Sequence, residues 1–266
     1  MYNYTDLHLH TIFSWDAKQT MEEVVTKAKT TGINVIGFTE HIDLMDKHNK
    51  NYLKFDYDKY SETFDKNKKI FPGILKGIEV GELHVYSDRF NKFVQDKEFD
   101  YFIGSLHFIG DYTPVFDNYF RERELLDVYR AYFDEEYKLI KYGGFEIAAH
   151  ITLVHRYGAR YFSGPLYQTF KKEIDDILKL LINKKIAVEI NTSGLHFPAK
   201  DFIPDAEIIK AYIDFGGDMI TVGSDAHIIA DTFNGLKEVY EMLEDMGVKE
   251  TTVFEKHRPK KIKIKS

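Results

Sequence analysis

Seven short apolar runs, each bounded by turn residues, alternate along this chain with segments of helical spacing. Runs this short and this apolar are typical of strands buried on both faces of a parallel sheet. Because crossovers between parallel strands are right-handed, this order predicts an α/β fold, and seven units close more economically into a TIM-like (β/α)7 barrel than into an open sheet. The predicted strands are Tyr4–Leu9, Val35–Thr39, Ile74–Val80, Tyr101–Gly104, Glu146–Ala149, Ile186–Ile190 and Met219–Val222.

The helical segments between these strands have recognisable limits. A capping box from Thr20 to Glu23 begins the first helix and Gly32 ends it. Because no linker or repeat interrupts the pattern, we expect residues 1–266 to form a single domain with residues 255–266 as a basic C-terminal tail. For Lys260–Lys265, a solvated terminus or an edge strand is favoured over an anion-binding arm. The other predicted helices are Asp58–Phe71, Ser87–Lys97, Arg123–Tyr142, Leu166–Asn183, Asp205–Phe215 and Thr232–Met246.

The composition excludes several classes of protein. With no Cys among 266 residues, a disulfide scaffold, a thiolate zinc site and a cysteine nucleophile are impossible. No apolar run is long enough to span a bilayer and the first residues lack the pattern of a secretory signal, so we expect a soluble, cytoplasmic protein without a membrane partner. The net charge of −7 argues against nucleic acid as a partner, and any phosphate site must be built locally.

Two histidines and a carboxylate share one face of the first strand. In the segment from Asp6 to His10, the period of two sends Asp6, His8 and His10 to the same side. Adjacent imidazoles on an inward face need partners, and a shared metal ion satisfies both, while Asp6 can orient one of them. The alternative is a pair of histidines packed in the core.

Residues of the same kind recur at the carboxyl end of strand after strand. In a parallel barrel these ends surround one mouth, so residues far apart in the sequence become neighbours. Such recurrence is hard to obtain by chance, and we therefore predict a polynuclear metal site. The segments that carry it are Thr39-Glu40-His41, Gly77-Ile78-Glu79, Gly104-Ser105-Leu106-His107, Ala148-Ala149-His150 and Gly223-Ser224-Asp225-Ala226-His227.

These motifs resemble those of the polymerase and histidinol phosphatase superfamily, known as PHP, over most of the chain. Several relatives in that superfamily have His at the loop position that Asp16 fills here. The resemblance implies a distorted (β/α)7 barrel that holds three divalent metal ions. By the same resemblance, one ion is held by His8, His10, Glu79 and Asp225, a second by Glu79, His107 and His150, and a third by Asp16, His41 and His227.

Within that superfamily, the segment Phe102–Ile109 resembles the histidinol-phosphate phosphatase branch. This resemblance implies hydrolysis of L-histidinol phosphate to L-histidinol and phosphate, in histidine biosynthesis. Two alternatives remain: another phosphoesterase of the superfamily that acts on nucleotides or nucleic-acid ends, and a non-catalytic metal-binding module. Because imidazole and carboxylate ligands suit Zn, Mn and Fe alike, the metals are left open among these three.

The charge of the predicted site also supports a phosphate ester. Three carboxylates against three divalent ions leave about +3, which suits a phosphate dianion inside an acidic protein. Since paired ions can lower the pKa of a bridging water, hydroxide rather than a side chain is the expected nucleophile. We expect catalytic roles for Glu79, Asp225 and His227, with the third ion or an acid near Asp225 or His227 assisting the leaving alkoxide.

Residues outside these motifs are candidates for substrate binding. Arg156 and Arg160 follow the fifth strand in a predicted loop over the mouth, and Arg160 is preferred as the phosphate-binding residue over a surface role for its guanidinium. Glu189, Asn191 and His196 follow the sixth strand and are expected to contact the substrate, or else to support the loop. Surface or packing roles are expected for His48, His84, His155 and His257.

Overall fold

Seven parallel strands, paired in sequence order, form the centre of the molecule. The computed structural model describes residues 2–44, 55–115, 117–121 and 123–265, so His48 lies outside the described residues. Because each strand pairs with the next along the chain, the topology is the one that the alternation of runs predicts. The strands are β1 Thr5–Leu9, β2 Val35–Asp43, β3 Ile74–Gly81, β4 Tyr101–Ser105, β5 Ile147–Ala148, β6 Ala187–Asn191 and β7 Ile220–Gly223.

The first strand also meets the segment that follows the seventh. The amide of Asp225 donates to the carbonyl of His8 at 2.7 Å, and the amide of His10 donates to the carbonyl of Ala226 at 3.1 Å. These hydrogen bonds bring β1 beside β7, so the sheet is a nearly closed barrel in one domain, as predicted. The carboxyl ends of its strands therefore surround a single mouth.

Helices cover the outside of the barrel and bury one apolar face each. At the first of them, the Thr20 hydroxyl accepts from the amide of Glu23 at 3.2 Å and the Glu23 carboxylate accepts from the amide of Thr20 at 2.8 Å, so the predicted capping box is present. No helix in the described part of the chain is long and apolar enough to cross a membrane. The helices are α1 Met21–Thr31, α2 Tyr57–Ile70, α3 Leu83–Val94, α4 Asn118–Arg121, α5 Leu125–Tyr142, α6 Leu153–Gly158, α7 Leu166–Thr169, α8 Lys171–Lys184, α9 Ala206–Asp214 and α10 Leu236–Asp245.

One predicted helix and one predicted loop need correction. The segment Leu166–Asn183 is not one helix, because Phe170 has non-helical backbone angles (φ −115°, ψ 32°) and separates α7 from α8. Its fully buried ring stacks on Tyr129 with the ring centroids 5.1 Å apart, and this tertiary packing overrides the helical periodicity. The residues after β5 are not a loop over the mouth: Leu153–Gly158 form α6, whose Leu153 and Val154 are buried.

The C-terminal residues form a hairpin instead of a free tail. Strand β8, Glu250–Glu255, pairs antiparallel with β9, Arg258–Lys263, so the edge-strand alternative describes the lysine-rich segment. Buried Val253 and Phe254 join an apolar cluster with barrel residues that include Leu7. The amide of Lys256 donates to Asp100, which immediately precedes β4, at 3.2 Å. The hairpin therefore lies at the amino-terminal end of the barrel, opposite the mouth.

Candidate metal centre

Glu79, near the end of β3, lies at the centre of a buried polar cluster in the mouth of the barrel. Its carboxylate is fully buried and has imidazole nitrogens of five histidines within 2.8–3.4 Å. Because a carboxylate whose two oxygens face different ligands can join two cations, Glu79 is placed to act as a bridge. Oε2 faces His8, His10 and His41, and Oε1 faces His107 and His150.

The two histidines of β1 converge with a second carboxylate. Nε2 of His8 lies 3.6 Å from Oδ1 of Asp225, and Nε2 of His10 lies 3.2 Å from the same oxygen. The same two nitrogens lie 3.3 and 3.4 Å from Oε2 of Glu79. Two imidazoles and two carboxylates thus surround one point, and these are the four residues that the family resemblance grouped together.

The remaining predicted ligands form two further groups. His107 and His150 direct their Nε2 atoms to Oε1 of Glu79, at 3.2 and 3.1 Å. Nearer the surface, Nε2 of His41 lies 3.2 Å from Nε2 of His227, and Oδ2 of Asp16 lies 3.6 and 3.4 Å from these two nitrogens. The structure therefore brings all nine predicted ligand residues together in the mouth of the barrel.

Polar atoms at the centre of the cluster lack hydrogen bonds, and this fits bound cations. In the part of the chain that the structure describes, Nε2 of His8, Nε2 of His10 and Oε2 of Glu79 are buried without a hydrogen-bond partner. Such atoms cost free energy unless a cation takes the place of the missing partner. Ligands that share one ion at 2.0–2.2 Å are separated by about 3.0–3.6 Å, which matches the separations between these side chains. The residues present therefore fit divalent metal ions.

The outward nitrogens of two imidazoles are held by carboxylates. Nδ1 of His8 lies 2.6 Å from Oε1 of Glu189, and Nδ1 of His107 lies 3.1 Å from Oδ1 of Asp43. A carboxylate at Nδ1 fixes the ring and leaves Nε2 as the ligand atom. Asp6, expected to orient an imidazole, instead accepts from the amides of His8 and Ser224 at 3.2 and 2.9 Å. Glu189 performs the expected role because its longer side chain reaches the ring from β6.

Burial and charge act in opposite directions on the ionisable groups of the cluster. Burial would raise the pKa of Glu79, but His8 and His41 hold that pKa well below its usual range. Burial would lower the pKa of His41, but Glu79 raises it to about 9. For His10, burial and the neighbouring His41 and His227 lower the pKa to about 3. His10 is therefore neutral at physiological pH, with a lone pair available for a metal.

Close packing and an unusual backbone position the residues after β7. A Cβ added to Gly223 would lie 2.4 Å from both Oε1 of Glu189 and Cβ of His8, so only glycine fits beside these two side chains. Asp225 has φ 53°, in the left-handed region that most residues avoid. This turn directs its amide to β1 while the carboxylate points into the cluster, and strain of this kind is concentrated at functional sites.

A cleft of about 360 Å³ opens over the metal-ligand groups, and Arg156 lies in its wall. Nη1 of Arg156 donates to Oδ2 of Asp225 at 2.7 Å and to Oγ of Ser193 at 2.8 Å, and the guanidinium lies over the rings of Tyr157 and Phe197. The cleft therefore combines an apolar wall with one arginine beside the ligand groups. Its lining residues are Trp15, Asp16, His41, Asp43, His107, Phe108, Thr113, Val115, Leu153, Arg156, Tyr157, Ser193, Phe197, Asp225 and His227.

The other predicted substrate-binding residues lie outside this cleft. Arg160, in the turn after α6, pairs with Asp117 at 3.1 Å and its side chain is 44% exposed. Glu189 is buried behind His8, and Asn191 donates to Glu189 at 3.1 Å. His196 lies at the exposed rim beside Asn234. Arg160 is thus a surface guanidinium, and the other three residues support the site or its rim. These are the alternatives to substrate binding that the sequence left open.

Asp43 was missed in the sequence, and a signal for it was present. It lies two residues after His41, so the period of two places both on one face of β2. The strand was predicted to end at Thr39 because polar residues follow. In the structure it continues through Asp43, since Glu40 and Asp43 are buried by partners in the mouth.

Comparisons with known proteins point to one family. The family model of the PHP domain matches residues 6–193. A relative named probable histidinol-phosphatase, from Clostridium acetobutylicum, is 31% identical over 255 residues, which cover 94% of this chain and 96% of the relative. The histidinol-phosphatase of Lactococcus lactis is 26% identical over 262 residues, covering 94% of this chain and 93% of its own.

A solved structure has the same fold. The crystal structure of histidinol phosphate phosphatase from Lactococcus lactis, complexed with zinc, L-histidinol and phosphate, superposes with a TM-score of 0.83 at 23% identity. The match covers 97% of this chain and 99% of that one. The nearly closed barrel is thus shared along the whole length of both chains.

Proposed function

Because this chain belongs to the PHP domain family, we propose that it is a metal-dependent phosphomonoesterase that hydrolyses L-histidinol phosphate to L-histidinol and phosphate. Relatives that carry the name histidinol-phosphatase match it over nearly their whole length. One such relative holds zinc, L-histidinol and phosphate, that is, a metal and the two products of this reaction. The reaction belongs to histidine biosynthesis, and we place the enzyme in the cytoplasm with that pathway.

The observation that carries this proposal is the convergence of nine ligand-type side chains, with Glu79 at their centre, beneath a cleft that contains one nearly buried arginine. Sites for phosphate esters need cations that offset the charge of the phosphoryl group. Here the chain as a whole is acidic, so this positive charge must come from bound ions and from Arg156. A purely structural core would not contain so many buried ionisable groups, because burying each of them costs free energy.

Three ions are proposed, each held by one of the groups described above. Glu79 would bridge the first two, and Asp16, His41 and His227 would hold the third at the edge of the cleft. When bound, such ions make water a stronger nucleophile by lowering its pKa, and they offset negative charge on the phosphoryl oxygens and the leaving alkoxide. Zn, Mn and Fe all accept this set of imidazole and carboxylate ligands.

Arg156, rather than Arg160, is the proposed phosphate-binding residue. Its side chain is 11% exposed and is held at one end by Asp225, so the guanidinium is already oriented in the cleft. Burial opposes its charge, but Tyr157 and Asp225 outweigh burial and raise the pKa, so Arg156 remains protonated. A fixed guanidinium loses little entropy when it binds phosphate oxygens in a fork geometry.

Asp225 and His227 are proposed as holding residues and not as the acid for the leaving group. Burial opposes ionisation of Asp225, but His8 and His10 hold its pKa well below its usual range, so it has no proton to donate at neutral pH. Nδ1 of His227 lies 2.8 Å from the carbonyl oxygen of Asp225, and its Nε2 faces Asp16. Both side chains are thus occupied within the cluster.

The proposal is tested by phosphate release from the purified protein after loading with Zn, Mn or Fe. L-histidinol phosphate is compared with nucleoside monophosphates, a nucleoside bisphosphate and a short oligonucleotide, each with and without a chelator. Preferential, chelator-sensitive hydrolysis of L-histidinol phosphate is expected. Preferential hydrolysis of a nucleotide or oligonucleotide would leave a phosphoesterase of another specificity, and full metal content without turnover would leave a metal-binding module.

A further inference from the structure

Asp43 is a carboxylate of the cleft that the proposed metal sites do not use. It is the last residue of β2, it is 8% exposed, and it lines the cleft together with Asp16 and Asp225. Those other two carboxylates are each directed to the Nε2 atoms of two histidines. Asp43 instead contacts the far side of His107, with Oδ1 at 3.1 Å from Nδ1.

The chain is built to accommodate this carboxylate. Asp43 pairs in register with Gly81 of β3, and a Cβ added to Gly81 would lie 2.9 Å from Oδ1 of Asp43. Within the described residues, the hydrogen bonds of the Asp43 side chain are confined to Oδ1. Among those residues Oδ2 has no hydrogen-bond partner, and because Asp43 lines the cleft, this oxygen can be offered to a bound ligand.

Charge indicates what kind of partner this is. Arg156 and the proposed ions attract the phosphate end of a substrate, whereas a carboxylate would repel it. The substrate must then bring a positive group close to its own phosphate. In L-histidinol phosphate only one oxygen and two carbon atoms separate the phosphorus from the ammonium nitrogen, and only the ring of His107 separates Asp43 from Glu79.

We infer that Asp43 binds the ammonium group of the substrate and so selects phosphate esters of 2-amino alcohols. The inference rests on the proposed function and specifies it further. One oxygen of Asp43 holds His107 while the other receives the ammonium, so the side chain links the metal centre to substrate selection. A site built to hydrogen-bond a group of its substrate strongly disfavours a substrate without that group, because the buried polar atom of the site is then left unpaired.

The first test uses the unmodified, metal-loaded protein. Its kcat/KM for L-histidinol phosphate is compared with that for 3-(imidazol-4-yl)propyl phosphate, which has hydrogen in place of the ammonium group. We expect the analogue to be poorer by about 100-fold, chiefly through KM. Equal values for both esters would overturn the inference and leave the proposed function intact. If the protein hydrolyses neither ester, both the inference and the proposed function are wrong.

The second test uses Asp43→Asn, which keeps the size of the side chain and removes its charge. We expect kcat/KM for L-histidinol phosphate to fall by about 100-fold while that for the analogue stays within a few-fold of the unmodified protein. A matched control is Asp117→Asn, since Asp117 pairs with Arg160 outside the cleft. The control should leave both values unchanged.

The metal content of the Asp43→Asn protein separates this role from two others. Ligand atoms of His41, Asp43 and His107 lie within 4.8 Å of one another, so Asp43 could itself hold an ion. Loss of metal from Asp43→Asn would assign that role and overturn the inference. Equal loss of activity on both esters, with metal retained, would show that Asp43 acts only by positioning His107, and would overturn it as well.

Discussion

At the scale of single residues, the metal centre depends most on Glu79. Five imidazoles lie within 3.4 Å of this one carboxylate, so its removal takes away the group that joins the ligand residues. We expect Glu79→Ala to lose bound metal and to reduce phosphate release more than about 100-fold. Metal analysis of the purified variant beside the activity assay checks this. The control is Glu238→Ala, at an exposed glutamate, which should keep its metal content and its activity. A Glu79→Ala protein with full metal content and an unchanged rate would show that Glu79 is not the bridge.

The two arginines after β5 provide a matched pair for phosphate binding. Arg156 is nearly buried in the cleft, whereas Arg160 is paired with Asp117 at the surface. We expect Arg156→Ala to lower kcat/KM for L-histidinol phosphate on the order of 100-fold, mainly through KM, because a desolvated guanidinium is lost from the phosphate. Arg160→Ala should change kcat/KM less than about three-fold, as a surface ion pair contributes little. Steady-state kinetics of both variants measures these changes in kcat/KM. A larger loss in Arg160→Ala than in Arg156→Ala would restore Arg160 as the phosphate-binding residue.

The sequence predicted the residues of the centre better than their surroundings. His8, Glu79 and Asp225 could be predicted because each lies at the end of an apolar run, and parallel strands bring such ends together. Glu189 and Asp43 could not be assigned in the same way, since their roles depend on which imidazole each side chain reaches across the barrel. Arg156 and Arg160 are only four residues apart, but Arg156 lies in α6 and Arg160 in the turn that follows it, and the sequence did not show where this helix ends.

At the scale of elements, helix α5 carries a buried carboxylate with no hydrogen-bond partner among the described residues. Glu136 is fully buried, and neither of its oxygens has a hydrogen bond. Burial raises its pKa well above the usual value, partly offset by His107. Because the folded pKa lies above the unfolded one, the folded state holds the proton more tightly. Glu136 therefore contributes favourably to the free energy of unfolding at low pH, and this contribution is lost as the pH rises above about 4.5.

We expect Glu136→Gln to relieve this loss, because the amide has a similar volume and no charge. The variant should be more stable than the unmodified protein at pH 8, by about 1–3 kcal/mol, and the difference should shrink at pH 5. Urea unfolding of both proteins at the two pH values measures it. Glu238→Gln, on the exposed face of α10, is the control and should show no such pH dependence. A difference that is the same at pH 5 and pH 8 would contradict the argument.

Elements were predicted well where one face is apolar and poorly where tertiary contacts override the pattern. Helix α1 and strand β1 follow their capping and periodicity signals. Strand β2 extends beyond its apolar run because the mouth buries the polar residues that follow. The hairpin of β8 and β9 was predicted only in part, as the edge-strand alternative for its lysines, because nothing in the sequence showed that Val253 and Phe254 pack under the barrel.

At the scale of the whole molecule, the barrel separates stability from chemistry. The hairpin covers its amino-terminal end with apolar contacts, while the mouth collects ionisable groups that are poorly satisfied without cations. Bound ions should therefore stabilise the fold as well as support turnover. One site with ligand present 1,000-fold above its Kd contributes about 4 kcal/mol. We expect a chelator to lower the Tm of the metal-loaded protein by several degrees or more.

The pH dependence of this effect follows from His41. Without metal, its pKa is raised to about 9, above the unfolded value of 6.5, so its ion pair with Glu79 stabilises the fold fully below pH 6.5 and is lost as the pH rises through 9. Metal binding instead requires the neutral imidazole and releases the proton, so the metal contribution grows over the same range. Tm measured from pH 6 to pH 9 should thus fall for the chelated protein, and the gap to the loaded protein should widen. Parallel curves would show that His41 does not exchange a proton for metal.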